Sequence, residues 1–305
     1  MRNRVALMSS GRLPSVGRSR PCATSESPVT VLDAAPLVDR VARPRHFLMC
    51  RPEHFDVTYA INPWMDPARP VDRALALEQW DGLKAAYEAL GHRVDVLPGV
   101  AGLPDMVFAA NGALVVGGRA LGARFTFPER TAEAPAHAAW LRAQGIDVVV
   151  PEHANEGEGD FVVVGDVVLA GSGYRTDPGA HEQAAAVLGV EVVPLELVDP
   201  RFYHLDTCLA ALDDHNVAYY PGAFSEASLA VLGERFPDAV IAGVHDAQVL
   251  GLNLVSDGRN VLIAPEAVEL AVRLASAGYV PARVDLSELR KAGGGIKCCT
   301  LELRL

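Results

Sequence analysis

From His46 to its end the chain repeats one pattern: a short β-rich run, a tight turn, a second β-rich run, then a helical stretch. The paired runs are MVFAANGALVVGG (106–118), DFVVVGDVVLAGSG (160–173), DTCLAALDDHNVAYYP (206–221) and NLVSDGRNVLIAP (253–265). Their turns carry NG, GD, DDHN and DG, which suit hairpins. The helical stretches PERTAEAPAHAAWLRAQG, HEQAAAVLG, SEASLAVLGERF and APEAVELAVRLASAG each end at or near Gly or Pro. A polar residue at the start of each first run marks the period: Asp105, Asp160, Asp206 and Asn253, with the next place in the series at Cys298. The steps are 55, 46, 47 and 45 residues. Recurrence at that length means one supersecondary unit set around an axis or along a solenoid. In a cyclic arrangement the markers converge, and Cys298 joins a ring of polar groups.

At 305 residues the chain is long for a single domain unless it is built from repeats, and 50% hydrophobic content is ample for a core. The net charge of −11 leaves no basic field to hold nucleic acid or an anionic membrane surface. No apolar run approaches the ~20 residues that span a bilayer. The expected partner is a small molecule and the expected location cytoplasmic, with a homo-oligomer left open. Residues 1–43, rich in Arg, Ser and Pro, read as a disordered tail before a single domain over 44–305. That tail also resembles an organelle transit peptide, and a start at Met8 or later accounts for it as well. The cysteines at 22, 50, 208, 298 and 299 show neither a disulfide framework nor metal-ligand spacing.

Taken alone, GGGIKCCTLEL (293–303) reads equally well as a last core strand. A nucleophilic thiol needs a histidine within reach. Of nine histidines, only His204 stands at an equivalent repeat position, beside Asp206, which an extended strand would place on the same face. Glu156, Glu158 and Asp160 alternate onto one face of an extended chain, with glycines between them that let a ligand approach the backbone. Three acids on one face repel one another unless a cation sits among them, and a planar guanidinium fits. EGEGD by itself is equally a solvated turn.

PDMVFAANGA, EGEGD, HLDTC and GGGIKC, in this order, resemble the guanidino-modifying superfamily. That superfamily has the pentein fold and includes dimethylargininase, arginine deiminase and amidinotransferases. The resemblance covers residues 46–305 and is nearest to bacterial dimethylargininase-like proteins and the cyanobacterial arginine dihydrolase domain. It implies an α/β fold, a five-bladed α/β propeller of pseudo-symmetric ββαβ units. It also implies a cysteine hydrolase of arginine or methylated arginine that needs no metal or organic cofactor. By position in the motifs, Cys298 matches the nucleophile, His204 the general acid/base, and Asp160 and Asp206 carboxylates that hold the guanidinium; Asp105 and Glu156 are read as joining them, with Glu156 counted among the catalytic residues. Arg175 in GYRTD matches a residue for the substrate carboxylate, with Arg124 a second candidate. Two departures matter. EGEGD is one residue longer than the deiminase motif, which leaves Glu156 and Glu158 both standing, Glu156 preferred. Asn111 replaces an acid and, with Asn62 in YAINPWMDP, resembles the dihydrolase pattern, which tilts the product from citrulline towards ornithine. An amidinotransferase and a non-catalytic pentein binding module are the alternatives.

Overall fold

The computed structural model describes residues 39–305. Of the expected tail, residues 1–38 lie outside the described residues, as does Cys22. Arg40 and Arg43 pair with Asp213 and Asp214, and the Arg40 guanidinium stacks on the Tyr279 ring.

The strands and helices fall, in chain order, into five blades. The first holds β1 (His46–Cys50), α1 (Arg73–Ala89) and β2 (Arg93–Leu97), and the second β3 (Ala113–Val116), β4 (Arg119–Gly122), α2 (Glu133–Ala143) and β5 (Asp147–Val149). The third is β6 (Phe161–Val164), β7 (Val167–Ser172), α3 (Pro178–Leu188) and β8 (Glu191–Glu196). The fourth is β9 (Leu209–Ala211), β10 (Val217–Tyr219), α4 (Glu226–Arg235) and β11 (Val240–Ile241), followed by the short α5 (Val244–Gln248). The fifth is β12 (Val255–Ser256), β13 (Asn260–Ile263), α6 (Val268–Ser276) and β14 (Val280–Arg283). The last strand, β15 (Leu301–Glu302), returns to pair antiparallel with β1. It supplies the first strand that the first blade lacks, so every blade is a three-stranded ββαβ sheet.

The strands are short and apolar on both faces because each blade is sandwiched between its neighbours. Period-two alternation sends Phe47 and Met49 of β1 towards the fifth blade's Leu262, and Leu48 and Cys50 towards the second blade's Ala113 and Val115. In β10, Val217 and Tyr219 pack towards the third blade, while Ala218 meets the fifth. The five apolar clusters each join consecutive blades, and the one joining the fifth to the first closes the ring.

The predicted hairpins at 160–173, 206–221 and 253–265 are observed. The first is not where NG placed it. Residues 104–112 form two 3-10 turns, and the reversal lies at Gly117 and Gly118, both with positive φ, between β3 and β4. Asn111 therefore stands two residues before β3, as Asn253 stands two before β12, and it marks the second blade better than Asp105 does. Among the described residues no helix is long and apolar enough to cross a membrane.

Candidate active site

The chain enters β3, β6 and β9 through tight turns, and these turns gather at one end of the propeller. The extended approach expected at 156–160 and 204–206 is replaced by 3-10 turns over Gly157–Gly159 and Leu205–Thr207. At the first turn the cause is Gly157, at φ +54 against the second blade's backbone, where a Cβ would lie 2.6 Å from the Ala113 carbonyl. The turn breaks the alternation and separates the three acids. Glu156 and Asp160 face the ring, whereas Glu158 accepts from Lys297 Nζ (2.7 Å), the Glu302 amide (3.0 Å) and Arg304. A cavity of ≈ 120 Å³ lined by Lys297, Glu302 and Arg304 opens among the hairpin turns at the opposite end.

Glu156 Oε2 lies 2.8 Å from His204 Nε2, and both Glu156 oxygens accept from Arg175 Nη1, at 3.1 and 3.2 Å. Burial alone would raise this carboxyl. The His204 hydrogen bond and the charges of Arg175 and Arg130 instead hold it far below the usual range. An ionised Glu156 fixes the tautomer in which His204 Nε2–H donates to it, and Nδ1 is left for proton transfer. Nδ1 has no partner among the described residues. It lies beside Gly159, where a Cβ would sit 3.1 Å from it and 2.4 Å from Asn111 Nδ2, so only glycine lets these two side chains approach.

The ring continues through Asp206. Cys298 Sγ lies 3.1 Å from Asp206 Oδ2 and 3.0 Å from Asn253 Nδ2. The Cys298 carbonyl accepts from Ala110 N at 3.0 Å, tying the nucleophile turn to the second blade. Cys298 is 2% exposed. Burial and the adjacent Asp206 push its thiol well above the usual value. Burial also raises Asp206 to about 7 and Asp160 to about 6. Arg130 and Arg175 compensate Glu156, and what the ring leaves without a partner among the described residues is Oδ1 of the buried Asp105 and Asp206.

The raised Asp206 has a consequence for stability. A carboxyl whose folded pKa lies above its ordinary 3.8 destabilises the fold as pH rises from about 4 to about 7, because ionisation is easier in the unfolded chain. Asp206→Asn is therefore expected to melt above the wild type at pH 8. Its advantage grows between about pH 4 and about pH 7 and then levels off. Calorimetry across that range checks this, and a variant that melts lower at pH 8 would refute it.

The other predicted residues divide. Asp105 Oδ2 accepts from Tyr59 at 2.9 Å, and its Oδ1 is buried without a partner among the described residues. Asn111 Oδ1 accepts from Arg130 Nη1 at 2.8 Å, and its Nδ2 donates to the Glu156 carbonyl at 3.2 Å. Asp160, expected to touch a guanidinium, has both oxygens engaged, by Leu205 N (3.1 Å) and Thr176 Oγ1 (2.7 Å), and so secures the turn that carries Asp206. Asn62 joins the 59–65 segment to the nucleophile turn through the Ala292 carbonyl at 3.0 Å. That segment roofs the site, with Arg175 Nη2 donating to the Ile61 carbonyl at 2.7 Å and Trp64 to that of Arg201 at 2.8 Å. Arg124 is not brought to the site. It is exposed: its backbone pairs with the buried Asn155, and its side chain turns outward and donates to the Glu152 carbonyl at 2.6 Å.

Arg130 occupies the interior instead, gripped by Glu133 at 2.8 Å and lying 3.9 Å from Glu156 and 4.0 Å from Asp105. Sequence reasoning missed it because an Arg and Glu three apart at a helix start read as a surface pair. Among the described residues no group of three or more His, Cys, Asp or Glu is arranged to hold a metal.

Five ββαβ blades around a polar ring with one thiol in it define a pentein of the guanidino-modifying class. The chain is 54% identical over 264 residues to the N(G),N(G)-dimethylarginine dimethylaminohydrolase of Mycobacterium tuberculosis, covering 87% of each, and therefore belongs to the dimethylarginine dimethylaminohydrolase family. It is 38% identical over 263 residues to the bifunctional arginine dihydrolase/ornithine cyclodeaminase ArgZ of Synechocystis, covering 84% of this chain and 37% of that one. The solved N-terminal domain of ArgZ, covalently bound to a reaction intermediate, matches with a TM-score of 0.82 at 36% identity, covering 85% of this chain and 97% of that one. A dimethylarginine dimethylaminohydrolase adduct with 4-chloro-2-hydroxymethylpyridine, at 22% identity and a TM-score of 0.71, shares the fold. No protein-family model matches the chain.

Proposed function

We propose that this protein, a cysteine hydrolase of guanidinium carbon–nitrogen bonds, acts as an arginine dihydrolase that carries free arginine through to ornithine. In this reading Cys298 attacks the guanidinium carbon as a thiolate, while Asp105 and Asp206, each with a buried oxygen that has no partner among the described residues, hold the N–H groups and Glu156 holds His204. His204, from Nδ1, protonates the departing ammonia and then takes a proton from the water that cleaves the amidino-thioether. That round yields citrulline. A second attack by the same thiol, with a second water, releases ornithine, another ammonia and carbon dioxide. Four buried free thiols suit a reducing compartment, and the cytoplasm is assigned on that basis.

The observation that carries the dihydrolase reading is the Asn111 carboxamide, seated in the ring beside His204 with only Gly159 between them. A carboxylate there would favour only the charged guanidinium. An amide both donates and accepts, so it can also hold the neutral ureido group of citrulline for a second attack. Asn111→Asp is expected to move the product from ornithine to citrulline with arginine still consumed, ammonia per arginine falling from about two to about one as one attack replaces two. Mass spectrometry of products from arginine and from dimethylarginine decides the matter. A second reading, dimethylargininase, is favoured by the relative that is 54% identical. It takes over if the native enzyme ignores arginine, or stops at citrulline, and cleaves dimethylarginine.

A further inference from the structure

We infer that Asn253 is a catalytic residue, whose side-chain N–H holds the Cys298 sulfur as a thiolate once a guanidinium engages Asp206. The inference rests on Cys298 being the nucleophile. Asn253 occupies the fifth blade's place in the polar ring and is 2% exposed. Its Oδ1 accepts from the amides of Gly295 and Cys298, each at 3.0 Å. Those two donors fix the orientation of the amide, since the opposite flip would set N–H against N–H. The two hydrogens of Nδ2 then point to the Asp206 carbonyl at 3.1 Å and to Cys298 Sγ at 3.0 Å.

The backbone spends strain to aim this group. Leu250, at φ 56, is the only non-glycine with positive φ among the described residues, and its carbonyl accepts from Asn253 N at 3.0 Å. A bulky residue in that region is uncommon and marks a conformation imposed by its surroundings.

The charges around the sulfur explain the choice of an amide. Asp206 faces it from the 205–207 turn and Tyr203 from just before that turn, with Cys299 on its own segment, while the Lys297 ammonium acts on Asp206 and is held by Glu158 and the Thr300 carbonyl. The corresponding residues of the third and fourth blades are Asp160 and Asp206. A carboxylate at 253 as well would set two anions against the sulfur and oppose its ionisation. In the resting site the thiol donates to Asp206. When the substrate cation arrives, Asp206 turns to it, the thiol proton leaves to solvent, and the net charge of the closed site is unchanged. The Asn253 N–H is then the donor left on sulfur.

Asn253→Asp keeps the oxygen that binds the two backbone amides, removes the donor and adds a negative charge beside the sulfur. In the full-length protein, alkylation of Cys298 by iodoacetamide, followed against pH by peptide mass spectrometry, reads the thiol directly. The expected result is a rise of about one unit or more in the alkylation pKa, which means about tenfold less thiolate at any pH below both values. The accompanying fall in kcat is partly recovered at high pH, which a merely structural defect would not show. Asn253→Ala, which removes the donor without adding charge, is expected to shift the profile less in the same direction. A wild-type profile in either folded variant overturns the assignment, as does failure of both to fold, which would make Asn253 a fold determinant only. Persistent turnover in Cys298→Ser would instead sink the nucleophile reading on which the inference rests.

Discussion

Cys298→Ser is expected to abolish turnover, by a factor on the order of 10⁴ or more, while leaving substrate binding measurable by calorimetry. A serine hydroxyl in the same anionic pocket has no route to the alkoxide, whereas a thiol ionises once the guanidinium neutralises its surroundings. Cys299→Ser is expected to keep kcat within a few-fold. Its sulfur is fully buried towards Cys50 and Tyr87, and the thiol that bonds Asp206 is that of Cys298. The cost there appears in stability, about 1–3 kcal/mol for a buried hydroxyl left without a partner. A dead Cys299→Ser alongside an active Cys298→Ser would reverse the assignment within the pair.

His204→Ala is expected to lower kcat by about 10²–10⁴, with a much smaller change in the affinity for arginine. His204 meets the site through one unpartnered nitrogen, and the acids that hold the cation are elsewhere in the ring. Losing it therefore removes proton transfer to the leaving ammonia and leaves the guanidinium cradle standing. Single-turnover kinetics separate the two effects, and a variant that lost affinity alone would contradict the acid/base role.

Three of the four hairpins and the helices after them were legible in the sequence because tight turns, strand alternation and helix ends are local properties. The marker residues were legible for a related reason, since a repeat brings equivalent positions to one end of a ring. The first marker was misplaced because residues 104–112 spend two extra turns before β3, and nothing local distinguishes those from the start of a strand.

The sequence by itself determined the repeat and placed a thiol, a histidine and several acids near its marker positions, while closure into a ring rather than a solenoid came from the family resemblance and is seen in β15 pairing with β1. Only the tertiary structure separated Glu156 from Glu158. The turn at Gly157 that sends them to opposite sides forms against the backbone of another blade, a contact forty-odd residues away in the chain. The same holds for Arg130 against Arg124: the two lie six residues apart, and it is the buried Glu133 that holds one inside, while the other extends outward to the Glu152 carbonyl. Side-chain direction at such places is set by contacts distant in sequence, and local pattern carries no record of them.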